Sequence, residues 1–259
     1  MASVAFITGG AQGIGLGIAR AFGKRGVRLV LADIDEAALA RAAAELSGVT
    51  EVRTVRLDVR DRAGFAEAAD RAEEALGPVD LLVNNAGIVP VSAAADLSYE
   101  KWDLALGINL TGVVNGIQTF LPRMIARDRG GYVVNTASGN GLIANANPLY
   151  VTAKFAVVGL SESLRPALER HGIGVSVLCP GPVDTGIVGN TQATDPSVAL
   201  HGELRAGVEA FLRGGVSIDE VGEMVVAGVE ARSMWIHTGN EIRPHLERRA
   251  AELLASVPS

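Results

Sequence analysis

The chain has 259 residues, a net charge of −6 at pH 7, a single cysteine and a hydrophobic content of 48%. An acidic chain repels nucleic acid and anionic membranes, so we expect neither as a partner. One cysteine excludes an intrachain disulfide framework, and no run reaches the roughly 18 consecutive apolar residues of a membrane span. The predicted first strand begins close to Met1 and leaves no space for a secretion signal, so we expect a cytoplasmic protein.

The predicted elements alternate between strand and helix along the chain. Strands are predicted over 3–8, 27–32, 52–57, 80–84, 131–136, 173–179 and 234–238. Helices are predicted over 14–25, 35–46, 62–76, 99–127, 149–170 and 217–231. The last helix begins with the pattern of a capping box at Ser217 and Glu220. This alternation predicts a doubly wound Rossmann fold: a single α/β domain over 1–259 with a seven-stranded, mostly parallel sheet flanked by helices.

A glycine-rich turn, TGGAQGIG over 8–15, follows the first predicted strand and opens the first helix. Glycines let the backbone approach a pyrophosphate, whose charge is stabilised by free N–H groups at the helix N-terminus. Taken alone, the turn could be an ordinary βα connection, because its spacing is not the common GxGxxG. Asp33 directly follows the second predicted strand, where dinucleotide-binding folds carry an acid for the ribose hydroxyls. Its alternative role is to cap the following helix, as Asp35 also could.

Tyr150 and Lys154 lie four residues apart in a predicted helix and therefore share one face. A nearby ammonium ion lowers the pKa of a phenol, because positive charge favours the phenolate. Such a phenol can give a proton to a carbonyl oxygen, or remove one from an alcohol, near neutral pH. The hydroxyl of Ser138, twelve residues before Tyr150, could hold the same oxygen. Thr136 is a rival hydroxyl, but its place in a predicted strand indicates that it points elsewhere.

Together these motifs resemble those of the short-chain dehydrogenase/reductase family. They are TGGAQGIG at 8–15, Asp58-Val59, Asn84-Asn85-Ala86-Gly87, Asn109, Ser138, YVTAK at 150–154 and Pro180-Gly181. The resemblance runs from about residue 3 to about residue 240, with the motifs in family order. It implies an NAD(P)-dependent oxidoreductase that acts on CH–OH groups, interconverts a secondary alcohol and its ketone by hydride transfer, and forms a homotetramer or homodimer. The helices over 99–127 and 149–170 are the faces expected to pair.

The resemblance also implies roles for individual residues. Tyr150 is the general acid/base, Lys154 lowers its pKa and holds the nicotinamide ribose, and Ser138 orients the substrate oxygen. Asn109 is expected in a local helix irregularity that holds a water against Lys154; a surface polar residue is the plainer interpretation. The residues expected to bind the cofactor are Gly9, Gln12, Gly13, Ile14, Gly15, Asp33, Ile34, Asp58, Val59, Asn85, Ala86, Gly87, Tyr150, Lys154, Pro180, Gly181, Val183 and Thr185.

The preferred cofactor is predicted to be NAD. The carboxylate of Asp33 can bond the ribose 2′-OH but repels the 2′-phosphate of NADP. Neither Gln12 nor Ile34 supplies a cation for that phosphate. By resemblance, Asp58 contacts the adenine amino group and Thr185 the nicotinamide carboxamide.

The segment over about 186–216 is predicted to be a substrate lid. Its later part has one apolar helical stripe, and we expect it to close over an apolar substrate. Packing on the core alone is the alternative. The apolar residues concerned are Ile187, Val188, Leu204, Val208, Phe211 and Leu212, together with Leu142 and Ile143.

Two other functions stay open on the same fold: an NAD(H)-binding regulatory protein, and an epimerase or dehydratase that uses the nicotinamide transiently. A sensor has no need of a proton relay, and the transient-redox relatives are generally longer with a different glycine spacing. Enoyl reductases fit less well, because their Tyr and Lys lie further apart. No metal site is expected, since the histidines and Cys179 lack metal-ligand spacing. The absence of a GxSxG motif argues against serine hydrolysis.

Overall fold

The computed structural model describes residues 3–258. Within them, seven strands form one sheet in the order β3-β2-β1-β4-β5-β6-β7, and every pairing is parallel. In chain order, β1 to β7 are Val4–Thr8, Arg28–Asp33, Val52–Arg56, Leu81–Asn84, Gly131–Thr136, Ile173–Cys179 and Trp235–His237. The predicted doubly wound sheet is confirmed, and each predicted strand end lies within one residue of the observed end.

Helices cover both faces of this sheet. The α-helices of the described part of the chain, α1 to α10, are Gly13–Gly23, Glu36–Leu46, Arg62–Leu76, Tyr99–Leu106, Gly112–Arg127, Pro148–Leu168, Ile187–Thr194, Gly202–Arg213, Ile218–Glu230 and Arg243–Ala255. A π-helical turn, Gly107–Thr111, joins α4 to α5 within the predicted helix over 99–127, and it contains Asn109, where the resemblance implied an irregularity. Neither α7 nor α10 was predicted as a helix. No residue of α10 is buried, so the chain shows no clear apolar stripe there.

The core lies on both faces of the sheet because successive strand residues point to opposite sides. On one face Ile7 of β1 joins a cluster that includes Phe22 of α1. On the other face Phe6 packs against Phe65 of α3 and Phe120 of α5, with ring centroids 6.1 and 4.7 Å apart. With both faces covered, the carboxyl edge of the sheet is where a ligand can reach strand ends.

The contact between α1 and α9 is made through glycines. A Cβ at Gly17 would lie 2.0 Å from the Ile218 carbonyl oxygen, and one at Gly222 would lie 2.2 Å from the Gly17 carbonyl oxygen. The two helices therefore touch backbone to backbone. The predicted capping box is present at the start of α9: Ser217 Oγ accepts from Glu220 N at 3.3 Å, and the Glu220 carboxylate accepts from Ser217 N at 3.0 Å.

The helical stretch Tyr99–Arg127 is long and apolar enough to cross a membrane by length and composition. The core helix of a globular protein passes the same test. Here Phe120 and Met124 are buried in the cluster on one face of the sheet, and Val113 and Ile117 are buried against α6 and β6. The stretch is thus packed as a core helix.

Candidate active site

A cleft of about 850 Å³ lies at the carboxyl ends of the strands. It spans the place where the order reverses between β1 and β4, which is where doubly wound sheets bind ligands. The predicted site residues converge there, and all but two of them line the cleft. The two exceptions are Gly15 and Asn109, which lie behind its wall.

The glycine turn forms one end of the cleft. Gly9 and Gly13 have φ of +61° and +55°, which only glycine adopts at low cost. A Cβ at Gly15 would lie 2.1 Å from the Gly9 carbonyl oxygen, so this glycine lets α1 begin directly beneath the turn. Within the described residues Gln12, the N-cap of α1, makes no side-chain bond to the first turn of the helix. The N–H groups of that turn are therefore open to the cleft.

Asp33 stands beside this turn at the end of β2. Its carboxylate accepts hydrogen bonds from Ala11 N and Asp35 N, each at 3.2 Å, and only 8% of the residue is exposed. Burial raises the pKa of Asp33, and the backbone N–H bonds offset part of that rise. Helix α2 is capped by Asp35, which accepts from Ala38 N at 2.9 Å. Asp33 is thus not the helix cap, and its carboxylate is held in a fixed orientation at the cleft.

Asp58 is engaged by a residue that the sequence did not indicate. Arg60 Nη2 lies 2.6 Å from Asp58 Oδ2, and Arg60 Nε lies 3.0 Å from Oδ1. This pairing lowers the pKa of Asp58. Both side chains line the cleft, so any group that approaches Asp58 also meets the guanidinium of Arg60.

The segment after β4 is tied to the glycine turn. Thr8 Oγ1 accepts from Asn85 N at 2.9 Å and from Ala86 N at 3.1 Å. Asn85 Nδ2 in turn donates to the carbonyl oxygens of Thr8 and Gly9. Asn84, by contrast, is 2% exposed and lies in the core between the strands. The two neighbouring asparagines therefore have different surroundings.

Ser138, Tyr150 and Lys154 meet in the middle of the cleft. Lys154 Nζ lies 5.6 Å from the centre of the Tyr150 ring and donates to the Thr136 carbonyl oxygen at 3.0 Å. The Ser138 hydroxyl faces the Tyr150 phenol. The rival hydroxyl, Thr136 Oγ1, donates instead to Asn85 Oδ1 at 3.4 Å.

The pKa values of this cluster differ from the sequence prediction. Burial raises the pKa of Tyr150, and the lowering contribution comes from Ser138 rather than from Lys154. Burial also lowers the pKa of Lys154 to about 8. Both shifts have one physical cause, since low-dielectric surroundings disfavour the charged form of each group.

Asn109 lies in the π-helical turn and is fully buried, which excludes the interpretation as a surface residue. Its Oδ1 accepts from Ile88 N at 3.1 Å. Its Nδ2 has no hydrogen-bond partner among residues 3–258. A Cβ at Gly87 would lie 2.8 Å from Asn109 Oδ1 and 3.5 Å from Lys154 Nζ, so both groups rest against this glycine. The Asn109 side chain, with one unused buried donor, and Lys154 Nζ thus share Gly87 as a neighbour.

The loop after β6 forms a further wall of the cleft. Pro180 O accepts from Gly139 N at 2.8 Å, which joins this loop to the Ser138 loop. Gly181 N donates to Thr238 Oγ1 at 3.0 Å. Thr185 lies over the glycine turn, with its Cγ2 3.5 Å from the place of a Cβ at Gly13. Among residues 3–258, no group of three or more His, Cys, Asp or Glu side chains is placed to hold a metal ion.

Comparison with known proteins assigns this arrangement to a family. A family model described as short chain dehydrogenase matches residues 3–196. The chain belongs to the short-chain dehydrogenase/reductase family. It is 36% identical over 263 residues to the C alpha-dehydrogenase of Sphingobium sp. strain SYK-6, covering 98% of this chain and 86% of that protein. It is 39% identical over 202 residues to oxidoreductase UcpA of Escherichia coli K12, covering 76% of each chain.

Solved structures agree. A short-chain dehydrogenase/reductase from Burkholderia phymatum, crystallised in complex with NAD, matches with a TM-score of 0.91 and 32% identity. The match covers 99% of this chain and 96% of that one.

In this dehydrogenase/reductase, the predicted lid segment over about 186–216 supplies much of the remaining cleft wall. The predicted lid segment carries α7 and α8, and its two ends are joined: Asp184 N donates to Val216 O and Val216 N to Pro182 O. Val188 is buried and, like Leu142, does not line the cleft. The apolar residues that do line it on this side are Ile143, Ile187, Leu200, Leu204, Val208, Phe211 and Leu212.

A further wall was missed by the sequence reasoning. Residues just before and at the start of α10 also line the cleft, namely Gly239, Glu241, Ile242 and His245. Ile242 packs against Gly139, next to Ser138. Two features of the sequence could have indicated the helix α10. One is the proline in its first turn, and the other is the spacing of four residues between Arg243 and Glu247, which form an ion pair. Neither indicates a contact with the active site, which depends on how the chain folds back.

Proposed function

We propose that this short-chain dehydrogenase/reductase is an NAD-preferring enzyme that interconverts a secondary alcohol and its ketone by hydride transfer. The observation that carries the proposal is the meeting of Ser138, Tyr150 and Lys154 in the same cleft as the glycine turn. Asn109 lies directly behind them. A proton-transfer group and a dinucleotide cradle in one cleft are the two requirements of such a reaction.

The residues present fit NAD. The turn around Gly13 has no side chain to fill it, α1 presents free N–H groups, and the Asp33 carboxylate is fixed beside it. The glycine turn would hold the pyrophosphate, Asp33 the adenosine ribose, Lys154 the nicotinamide ribose and Thr185 the carboxamide. When bound, NAD supplies the hydride acceptor and, in its oxidised form, a positive charge.

The chain's own residues supply the proton chemistry. In oxidation, Tyr150 as phenolate removes the hydroxyl proton of the alcohol; in reduction, its phenol returns that proton to the carbonyl oxygen. Ser138 holds the same oxygen and stabilises its developing charge. Because burial raises the pKa of Tyr150, a phenolate near neutral pH requires positive charge close by. Protonated Lys154 supplies part of that charge.

Asn109 extends this relay toward solvent. Its buried Nδ2 is a donor without a protein partner in the described residues, and its Oδ1 and Lys154 Nζ both rest against Gly87. A buried amide in this state is suited to hold a water molecule, which needs only two to four polar partners. Such a water would link Lys154 to solvent and let the proton leave.

The substrate is proposed to be an apolar alcohol or ketone. Leu204 and Phe211 are 62% and 64% exposed, yet both face the cleft from α8. Large apolar side chains exposed beside a catalytic cleft are suited to cover an apolar ligand. The joined ends of the lid segment at Pro182–Asp184 and Val216 allow the segment to move as a unit, so closure over the substrate is part of this proposal.

We also propose a cytoplasmic homotetramer or homodimer that pairs through the helices over 99–127 and 149–170. Light scattering coupled to gel filtration tests the assembly; a monomer at micromolar concentration would contradict it.

Measurements of turnover distinguish the proposed function from two alternative functions on this fold. A regulatory NAD(H)-binding protein would bind cofactor and turn over no alcohol. A transient-redox epimerase would convert its substrate with no net change in cofactor absorbance. Neither alternative is favoured by a specific contact, whereas the intact set of Ser138, Tyr150, Lys154 and Asn109 favours net oxidation and reduction.

The decisive variant is Tyr150→Phe, which removes only the phenolic oxygen. With a working secondary alcohol, kcat should fall by about 10²–10⁴-fold, the usual loss of acid–base catalysis, while NAD affinity is retained. Tyr132→Phe is the matched control, because that phenol is also buried but bonds Ser176 away from the cleft. A Tyr150→Phe protein that keeps more than about a tenth of parent activity would exclude this residue as the general base.

A further inference from the structure

A chain of buried polar side chains crosses the molecule from β4 through β5 to α6. Asn84 Nδ2 donates to Asn135 Oδ1 at 2.9 Å, and Asn135 Nδ2 donates to Ser161 Oγ at 3.0 Å. Ser161 Oγ then donates to the Val157 carbonyl oxygen at 2.7 Å. Asn135 and Ser161 are fully buried, and Asn84 is 2% exposed. Neither Asn135 nor Ser161 belongs to the sequence motifs of the site.

The direction of this chain is fixed at each step. A hydroxyl has one proton, and Ser161 gives it to Val157, so its lone pairs are free to accept from Asn135. Asn135 then uses its amide nitrogen toward α6 and its amide oxygen toward β4. Asn84 and Asn135 are also direct neighbours in the β4–β5 register. A shift of α6 along the sheet would leave a buried donor without a partner, which is costly in a low-dielectric interior.

Helix α6 is thereby attached to β5 at two points. The first is the bond from Lys154 Nζ to the Thr136 carbonyl oxygen, and the second is the bond between Asn135 and Ser161. Ser161 follows Lys154 by seven residues, about two helical turns, so the two side chains lie on one face of α6. On β5 the two attachment points are consecutive residues. Together they set the position of α6 along the strand, and with it the position of Tyr150.

We propose that Ser161, acting through Asn135, is a positioning residue for catalysis that holds α6 where Tyr150 and Lys154 meet the substrate. The proposal rests on the proposed oxidoreductase function and adds a requirement outside the cleft. Without the Ser161 hydroxyl, α6 still packs through Val157 and Val158, so the fold persists while the helix loses its second attachment. A displacement of about 1 Å in a catalytic group can cost on the order of 10²-fold in rate.

The test compares Ser161→Ala with Ser176→Ala. Ser176 is an equally buried serine with two hydrogen bonds, to Tyr132 and to the Ser233 carbonyl oxygen, and neither partner lies on α6. Both variants should lower the melting temperature. Only Ser161→Ala should lower kcat per folded molecule, by about tenfold or more. Ser161→Cys, which keeps the size and weakens the bond, should lie between parent and alanine variant.

A second readout does not depend on turnover. The chain has three lysines, Lys24, Lys101 and Lys154, so NMR of selectively labelled lysine can follow each one. The ionisable groups that face Lys154 are Tyr150 on its own helix and Cys179 at the end of β6. In Ser161→Ala and Ser161→Cys the pKa of Lys154 should move from about 8 toward 10.5, because the side chain is less firmly buried. In Ser176→Ala it should stay in place.

Equal kcat and an unmoved Lys154 titration in both Ser161 variants would overturn the positioning role. If Ser161→Ala does not fold, the cysteine variant decides by the same two measurements. A parent enzyme that oxidises no secondary alcohol with NAD would defeat the proposed function, and the lysine titration would then still decide whether Ser161 positions α6.

Discussion

Asp33 is predicted to decide between NAD and NADP, and Asp33→Asn is the variant that tests it. The substitution removes the charge and keeps an oxygen that can accept from Ala11 N. The parent should prefer NAD by at least tenfold in kcat/KM, and the variant should lose most of that preference. Asp58→Asn is the control, since its carboxylate also lines the cleft but is already paired with Arg60. Asp58→Asn should change kcat/KM with NAD and with NADP by the same factor.

The size of the effect follows from burial and charge. Two unit charges about 4 Å apart repel by about 4 kcal/mol at the effective dielectric of a protein surface, which corresponds to roughly three orders of magnitude. The Asp33 carboxylate is fixed by two backbone N–H bonds and cannot swing away from a 2′-phosphate without breaking them. Solvent in the open cleft reduces the repulsion, so tenfold, about 1.4 kcal/mol, is the lower bound.

The assay is cofactor absorbance with one alcohol and each cofactor, at several pH values. Because burial raises the pKa of Asp33, its proton returns at a higher pH than for an ordinary aspartate. On acidification, the preference for NAD should therefore decline at a higher pH than it would for an exposed aspartate. Equal use of both cofactors by the parent, or an unchanged ratio in Asp33→Asn, would refute the reasoning.

Two further predictions concern Lys154 and the lid. The folded protein releases the Lys154 proton at about pH 8 and the unfolded chain near 10.5, so the free energy of unfolding should rise between these values. Lys154→Met should abolish turnover yet stabilise the cofactor-free protein at pH 7 by up to about 3 kcal/mol. Urea titrations of this variant should show a flatter rise of the free energy of unfolding with pH. Lys24→Met, at the surface, should neither stabilise the protein nor flatten the rise. Leu204→Glu should raise KM for apolar alcohols at least tenfold with little change in melting temperature. Leu253→Glu, which is also at an exposed leucine but outside the cleft, should leave KM unchanged. A Lys24→Met protein that is also stabilised would contradict the first prediction, and an unaltered KM in the Leu204→Glu protein would contradict the second.

The sheet and the glycine turn were predictable because their causes are local. Buried parallel strands read as apolar runs, and a turn with positive φ at Gly9 and Gly13 requires glycine. Strict alternation of strand and helix makes the strands parallel, so the carboxyl ends of all of them lie at one edge of the sheet. Asp33 and the Ser138 loop follow directly after strands, so their convergence was predictable before any contact was known.

Other features needed the tertiary structure because they depend on residues distant in sequence. Arg60 and Asp58 are close in sequence, but their pair lines the cleft only because the strand ends meet at one edge of the sheet. The burial that raises the pKa of Tyr150 and lowers that of Lys154 is produced by surrounding elements, and the sequence motif predicted the opposite sign for Tyr150.

The same reason explains the second attachment of α6 and the wall formed by the start of α10. Asn135 and Ser161 read as ordinary polar residues in a strand and a helix, and their bond appears only when α6 lies on β5. Ile242 reaches Gly139 only because the chain returns across the cleft after β7. Sequence pattern fixes which side chains can bury and which backbone turns can form, whereas the pairing of side chains across elements is decided by packing.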